Sequence, residues 1–106
     1  MDAGIKRKWL KALRSGKYKK GRSFLRKKDR YCCLGVLMDI VCPEQWRRAE
    51  TEFEIYTVCS NGETDFPSKY QLKKIGLSFP YAEQLAKHND RGWSFARIAD
   101  KIERDL

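Results

Sequence analysis

The 106-residue chain is long enough for one domain, because two domains sharing this length would each bury too little surface to be stable. Its first thirty residues hold 13 Lys and Arg against 2 Asp and Glu, a net charge of +11, whereas the rest holds 10 against 12, a net of −2. Charge this concentrated favours an anionic partner, either a nucleic acid or an acidic protein surface, with a solvated helix face as the alternative. No apolar run approaches the roughly 20 residues of a membrane span and the start lacks a signal-peptide core, so no membrane partner and a cytoplasmic location are expected.

The four cysteines are Cys32, Cys33, Cys42 and Cys59. They are too sparse for the disulfide framework of a secreted protein, and adjacent cysteines rarely bridge each other, so packed, reduced thiols are expected. A zinc site would need these thiols and His88, yet no CxxC or HxxxH pair supplies two ligands from one turn. The sequence therefore predicts no metal and no cofactor.

The first predicted element is an amphipathic helix that ends near Gly16. Its apolar side carries Ile5, Trp9, Leu10 and Leu13, and its basic side carries Arg7, Lys8, Lys11 and Arg14. Residues 17–28 are predicted to form a basic loop with one helical turn, with Tyr18, Phe24 and Leu25 as anchors to the core.

The most apolar part of the chain is residues 31–42, where ten of twelve residues are apolar. The two exceptions, Gly35 and Asp39, are four residues apart and so share one strip of a helix. We therefore predict a central buried helix over 31–42 with Asp29 as its N-cap, and a buried strand over 31–37 is the alternative.

A strand pattern follows, since the apolar period changes to two over residues 51–59 and Asn61-Gly62 is a tight-turn signal. Residues 63–66 are a short candidate return arm. The sequence thus indicates a small β-hairpin or a short antiparallel sheet within 51–66.

The last third of the chain predicts helices. A brief helix after Pro67 ends at Gly76, and two longer ones cover residues 80–88 and 94–105, separated by a turn over 89–92.

Together these elements predict a single domain, residues 1–106, of the α+β class and predominantly helical. About four to five helices surround the central buried helix at 31–42, and the small hairpin or sheet occupies 51–66. The final helix pair is similar in spacing to a helix-turn-helix, but acidic residues cancel the basic ones over 94–105, which suits packing better than DNA binding.

The sequence contains no catalytic motif: it has no glycine-rich phosphate loop, no GxSxG elbow and a single histidine. We interpret His88 as closing its helix, where a cationic ring favours the helix dipole. A non-enzymatic protein without catalytic residues is therefore expected.

The candidate binding surface is the basic segment, because lysines suit nonspecific phosphate contact and arginines suit bidentate pairing. One cationic stripe is predicted from Lys6, Arg7, Lys8, Lys11 and Arg14, extended by Lys17, Lys19, Lys20, Arg22, Arg26, Lys27, Lys28 and Arg30. Tyr18 and Phe24 are available to stack on bases, although anchoring a loop is the commoner use of such side chains. The rival surface is the acidic strand face of Glu52, Glu54 and Glu63.

Three groups of residues carry a family resemblance. The early group is Trp9, Ala12-Leu13-Arg14-Ser15-Gly16-Lys17-Tyr18 and Gly21. The central group is Tyr31-Cys32-Cys33-Leu34-Gly35-Val36-Leu37 with Asp39, and the late group is Asn89-Asp90, Gly92, Ser94-Phe95, Ile98-Ala99-Asp100 and Ile102-Glu103. These groups resemble a family of small proteins of unassigned function from tailed bacteriophages and prophages, and residues 43–67 match it least.

The resemblance implies an accessory protein made in the cytoplasm of the bacterial host, where proteins of this size often bind and block a defence component. It identifies no active site. The favoured hypothesis is an anti-CRISPR-like inhibitor of a host nucleoprotein complex that acts through its basic N-terminal surface on RNA, DNA or an acidic protein face. The alternatives are a sponge for an anionic nucleotide signal, and a nonspecific nucleic-acid-binding protein whose log–log salt slope is about −4 to −5 if roughly five phosphates are neutralised.

Overall fold

The computed structural model describes residues 1–49, 53–57 and 64–106. Within these residues the chain forms five α-helices, which are α1 (Ala3–Arg14), α2 (Cys33–Val41), α3 (Lys69–Ile75), α4 (Phe79–Asp90) and α5 (Phe95–Asp105). The same residues contain five short strands, which are β1 (Lys19–Lys20), β2 (Arg26–Lys27), β3 (Arg30–Tyr31), β4 (Arg47–Arg48) and β5 (Ile55–Thr57). The predicted α+β, predominantly helical class is confirmed.

Helix α2 lies at the centre of the core, as its apolar composition predicts. Its residues from Cys33 to Met38 are buried, and both α1 and α4 pack against it. Helix α1 contributes the fully buried Trp9, whose indole Nε1 donates a hydrogen bond to the carbonyl of Cys33 at 2.9 Å. Helix α1 also packs along α5. The apolar side of α1 therefore packs against the core, and the basic residues lie on the other side of the same helix.

The N-cap of α2 is Cys32, whose Sγ accepts a hydrogen bond from the backbone N–H of Gly35 at 3.3 Å. The prediction of Asp29 as the N-cap is wrong, because strand β3 lies between Asp29 and the helix. The alternative of a buried strand over 31–37 is also wrong, since the chain is helical from Cys33 onward.

The basic segment after α1 is folded onto α2 through Leu25, which is fully buried. The backbone of Leu25 passes so close to Gly35 that a Cβ atom there would lie 1.8 Å from the Leu25 carbonyl oxygen. That oxygen accepts a hydrogen bond from the N–H of Cys32 at 3.2 Å. The predicted helical turn within residues 17–28 is wrong, because this segment contains β1 and β2 instead.

The strands form one sheet in the order β1-β3-β2-β5-β4, in which β1 and β3 are parallel and the other pairs are antiparallel. Strand β5 lies inside the strand predicted over 51–59. Its partners are β2 and β4, which both precede it in the chain, whereas residues 64–66 of the candidate return arm form bends. The turn signal Asn61-Gly62 lies outside the described residues.

Serine residues cap the three C-terminal helices. Ser68, Ser78 and Ser94 each accept a hydrogen bond from the backbone N–H three residues later, and Ser68 forms a capping box with Gln71. Gly76 ends α3 with a φ of +77°. The three predicted helices are confirmed.

Helix α4 extends two residues beyond its predicted end, to Asp90. The predicted turn over 89–92 therefore starts later, and Asn89 becomes a helical residue whose side chain is completely buried.

Helix α5 buries Phe95, Ile98, Ala99 and Ile102, the core positions predicted from its period. Its role in packing is thereby confirmed. Among the described residues, no helix combines the length and apolar character needed to cross a membrane.

Candidate functional site

The buried Asn89 ties the basic segment to helix α4. Its Oδ1 accepts a hydrogen bond from the N–H of Cys33 at 3.1 Å, and its Nδ2 donates one to the carbonyl of Gly21 at 2.9 Å. Its backbone carbonyl accepts a hydrogen bond from Lys20 Nζ at 2.8 Å, and burial lowers the pKa of Lys20. Asn89 therefore holds the chain between α1 and α2 at Gly21 and at Cys33. The predicted site residue Lys20 contributes to this attachment through its hydrogen bond to the Asn89 carbonyl.

On the inner face of the sheet, Arg26 lies among aromatic rings. Its guanidinium carbon is 4.2 Å from the ring centroid of Tyr56, 5.4 Å from that of Tyr31 and 5.5 Å from that of Trp46. The register places Tyr31 and Tyr56 on either side of Arg26 in the same row. Although its charge suggests a site residue, Arg26 is half-buried and serves the packing of the sheet.

Tyr18 anchors the basic segment. Its hydroxyl donates a hydrogen bond to Asp39 at 2.5 Å, and its ring packs edge-on against Tyr31 with centroids 5.0 Å apart. Burial and this hydrogen bond raise the pKa of Tyr18. The predicted anchoring role is confirmed for Tyr18, and Phe24 is half-buried.

On the opposite face of the sheet, three basic side chains stand side by side. The register places Lys19 beside Arg30 across β1 and β3, and Arg30 beside Lys27 across β3 and β2. All three residues are exposed. Neighbouring strands are about 4.8 Å apart, so the three Cα positions span roughly 10 Å. We name this set the sheet row (Lys19, Arg30 and Lys27).

One end of the sheet row meets a carboxylate. Asp29 Oδ2 lies 2.9 Å from Lys19 Nζ, and both side chains are 65% exposed. The hydrogen bond from Lys19 lowers the pKa of Asp29. Arg30 and Lys27 form no ion pair with any of the described residues. The row therefore keeps most of its positive charge available to a partner.

A second exposed set lies on α1, and we name it the helix stripe (Arg7, Lys8 and Lys11). None of the three forms an ion pair with a residue in the described part of the chain. Arg14 and Lys6 were predicted to belong to this stripe, but neither has a free, exposed charge like its three members. Arg14 pairs with Asp100 at 2.8 Å and Glu103 at 2.7 Å on α5, and Lys6 is half-buried.

The remaining predicted cations, Lys17, Arg22 and Lys28, are exposed and belong to neither set. Lys28 has a φ of +54°, and its N–H donates a hydrogen bond to the carbonyl of Glu54 at 2.7 Å. The structure thus divides the predicted single stripe into two exposed sets, scattered single cations and cations that hold the fold together.

An exposed aromatic side chain lies next to the sheet row. Phe53 is 52% exposed, and Lys27 Nζ lies 5.1 Å from its ring centroid. Sequence reasoning places Phe53 in the alternating strand pattern with Ile55 and Thr57, which are buried. Its exposure carries no sequence signal, because a period of two does not tell which end of a strand leaves the core.

His88 lies in the last turn of α4 and stacks on Trp93, with ring centroids 3.9 Å apart. Arg97 covers the Trp93 ring at 3.7 Å. Burial, followed by the charge of Lys101, lowers the pKa of His88. The predicted position of His88 near the end of its helix is confirmed, but its surroundings favour the neutral ring over the cationic one.

Cys32 and Cys33 are free thiols, and both of them and Cys42 are buried. Burial raises the pKa of Cys32 to about 11 and also raises the pKa of Cys33. These thiols are thus packed and weakly nucleophilic, and Cys59 lies outside the described residues. No group of three metal-ligating side chains occurs within residues 1–49, 53–57 and 64–106.

Of the three glutamates in the rival acidic surface, the structure describes Glu54. Glu54 is half-buried, and its carbonyl is occupied by Lys28. Glu52 and Glu63 lie outside the described residues.

The chain matches one protein-family model, described as "Domain of unknown function (DUF8296)", over residues 1–71. That range contains the sheet row, the helix stripe, Phe53 and the strands β1 to β5. No curated protein and no solved structure matches the chain.

Proposed function

We propose that this chain, which belongs to the family of the Domain of unknown function (DUF8296), binds nucleic-acid phosphates at the sheet row without catalysis. The observation that carries the proposal is the register that sets three exposed residues, Lys19, Arg30 and Lys27, side by side on one face of the sheet. Like charges directly opposite each other destabilise a sheet. Phosphate oxygens placed along the row convert this repulsion into attraction and release bound counterions.

The chemistry of the row suits a phosphate chain. Arg30 offers a planar set of donors that pairs with two phosphate oxygens, and the lysines on either side act as point charges. No base-reading pattern is needed for such binding, because phosphate contacts position a protein and carry no sequence information. We therefore propose affinity without sequence preference.

The test is charge reversal at the row, measured as the affinity for a labelled 20-nucleotide oligonucleotide in 0.1 M salt. The double variant Lys27→Glu/Arg30→Glu removes two phosphate contacts. Each contact contributes about 0.7 log units of affinity per tenfold change in salt concentration, so over one such decade the loss of both should weaken binding roughly 25-fold. The matched control is Lys73→Glu/Lys74→Glu on α3, which makes the same change in net charge at exposed positions away from the sheet. We expect the control to bind within about threefold of the wild type.

The helix stripe supplies the second comparison. Lys8→Glu/Lys11→Glu changes the same charge on α1 and should weaken binding less than the row variant. Equal losses in all three double variants would show that net charge alone drives binding. Absence of binding by the wild type at 50 mM salt would overturn the proposal.

The biological role that we propose is inhibition of a host nucleoprotein complex, such as an RNA-guided surveillance complex, by a phage-encoded protein. Its support is the resemblance to phage and prophage proteins together with a surface that complements exposed phosphates. In a cleavage assay with such a complex, the wild type should inhibit at near-stoichiometric amounts. The row variant should not inhibit, and the α3 control should.

The alternative of a sponge for an anionic nucleotide finds less support in the geometry. Among the cavities lined by described residues, two have volumes of about 600 Å³ and 310 Å³. Each has one lysine in its lining, Lys69 or Lys74, and neither has an arginine. The first cavity also carries Asp65 and Glu83, whose charge repels a nucleotide phosphate.

A further inference from the structure

We infer that the nucleic acid bound at the sheet row is single-stranded and that one unpaired base stacks on Phe53. This inference rests on the proposed function and specifies its ligand. It follows from the position of one exposed aromatic ring at the end of a row of cations.

The ring and the row are continuous on the surface. Lys27, the last member of the row, faces Ile55 of β5 in the register, and Phe53 is two residues before Ile55. The backbone turns tightly at this point, since the N–H of Ile55 donates to the carbonyl of Phe53 at 2.9 Å. Lys27 Nζ then lies 5.1 Å from the Phe53 ring centroid. A strand whose phosphates follow the row thus reaches the aromatic ring at its end.

Three other aromatic rings of the described sheet region are less exposed than Phe53. Tyr31 and Tyr56 are half-buried on the inner face around Arg26, and Tyr18 is bonded to Asp39. Phe53 is 52% exposed and points away from this cluster, as its contact with Lys27 shows. Of these four rings, Phe53 is therefore the most accessible to a base.

The combination of a cationic track and an exposed ring selects single strands. A duplex keeps its base faces stacked inside the helix, so an aromatic side chain reaches them only by unstacking the duplex. In a single strand the faces are accessible, and stacking on an aromatic side chain is tolerant of base identity. A row of about 10 Å accommodates a short stretch of flexible backbone, which bends to follow it.

The experiment compares a labelled dT20 strand with a 20-base-pair duplex, by fluorescence anisotropy, for the wild type and three variants. Phe53→Ala should weaken binding to dT20 by roughly 5- to 150-fold, the range for loss of one base–aromatic stack. Phe53→Tyr keeps a stacking ring and should bind like the wild type. The salt slope for dT20 should stay near −2 in Phe53→Ala, because three phosphate contacts at −0.7 each are retained.

Phe79→Ala is the matched control. Phe79 is 40% exposed and has Lys69 Nζ 5.5 Å from its ring centroid, so it reproduces the aromatic–lysine pair of Phe53. It lies beside Asp65 and Glu83 and not at a cationic row. Its removal should leave the affinity for dT20 unchanged.

The outcomes separate this inference from the proposed function. If the wild type binds duplex as tightly as dT20, or if Phe53→Ala binds dT20 like the wild type, single-strand stacking is overturned while phosphate binding stands. Loss of binding in Phe53→Tyr equal to that in Phe53→Ala also overturns it. If neither nucleic acid binds at 50 mM salt, the proposed function itself is wrong. Circular dichroism of each variant checks that it is folded.

Discussion

Replacing Gly35 with alanine tests whether the basic segment is fixed to the core as described. An added Cβ atom would lie 1.8 Å from the carbonyl oxygen of Leu25 and 2.8 Å from its carbonyl carbon. Both are backbone atoms, so no side-chain rotation relieves the overlap. The chain at Leu25 has to move away from α2, or the helix has to shift.

The magnitude follows from the contacts at Leu25. Its carbonyl accepts the hydrogen bond from Cys32, and loss of the partner of a buried N–H costs about 1 to 3 kcal/mol. Leu25 is fully buried, and exposing such a side chain costs about 1.5 to 3 kcal/mol. We therefore expect Gly35→Ala to reduce the free energy of unfolding by about 2.5 to 6 kcal/mol.

Urea denaturation followed by far-ultraviolet circular dichroism measures this loss. Gly16→Ala is the control, because Gly16 has a φ of +75° but no atom within 4 Å of the added Cβ. Its cost is the backbone strain alone, about 1 to 2 kcal/mol. A Gly35→Ala protein no less stable than the Gly16→Ala protein would refute the close contact between Leu25 and α2.

Three further substitutions test other parts of the molecule. Asn89→Ala leaves the N–H of Cys33 and the carbonyl of Gly21 without their partner and should lower the free energy of unfolding by about 2 to 4 kcal/mol in urea titrations. Asp29→Asn removes the carboxylate beside Lys19 and should tighten oligonucleotide binding at 50 mM salt, so an unchanged affinity would count against the sheet row. Cys32→Ser replaces the N-cap sulfur with an oxygen and removes a thiol whose pKa burial raises to about 11. Because an unfolded thiol ionises at about pH 8.5, the contribution of Cys32 to wild-type stability should be complete below that pH and should decrease above it by up to about 1.4 kcal/mol per pH unit until pH 11. The serine variant should lose less stability between pH 8.5 and 10.5, and matching pH profiles would contradict the burial of Cys32.

The helices were predictable because their signals are local. The apolar residues of α1 and α5 recur at helical spacing, and the serines at 68, 78 and 94 mark helix starts through hydrogen bonds within three residues. The boundary of α2 was less predictable. A cysteine serves as its N-cap, and Asp29, a residue type that commonly caps helices, is used in an ion pair.

Most of the sheet could not be predicted from the sequence, because β1 to β4 have two residues each in the described chain and show no alternation. Their pairing is decided by tertiary contacts, chiefly the burial of Leu25 against Gly35 and the bonds of Asn89. The basic segment was identified as the charged part of the chain, but its register was not. The sheet row and the exposure of Phe53 both depend on that register.

The salt dependence of binding measures how much of the charge in the first thirty residues is available to a partner. Those residues carry 13 cations, and if all of them met phosphates of a single strand the log–log slope would be about −9. In the structure Arg14 is paired with α5, Lys20 is bonded to Asn89 and Arg26 is packed among rings. Binding by the sheet row alone gives a slope of about −2, and joint binding by the row and the helix stripe gives about −4. A slope near −2 that the helix-stripe variant does not change would locate the contact at the sheet, whereas a slope near −9 would show that the segment binds as an extended basic chain.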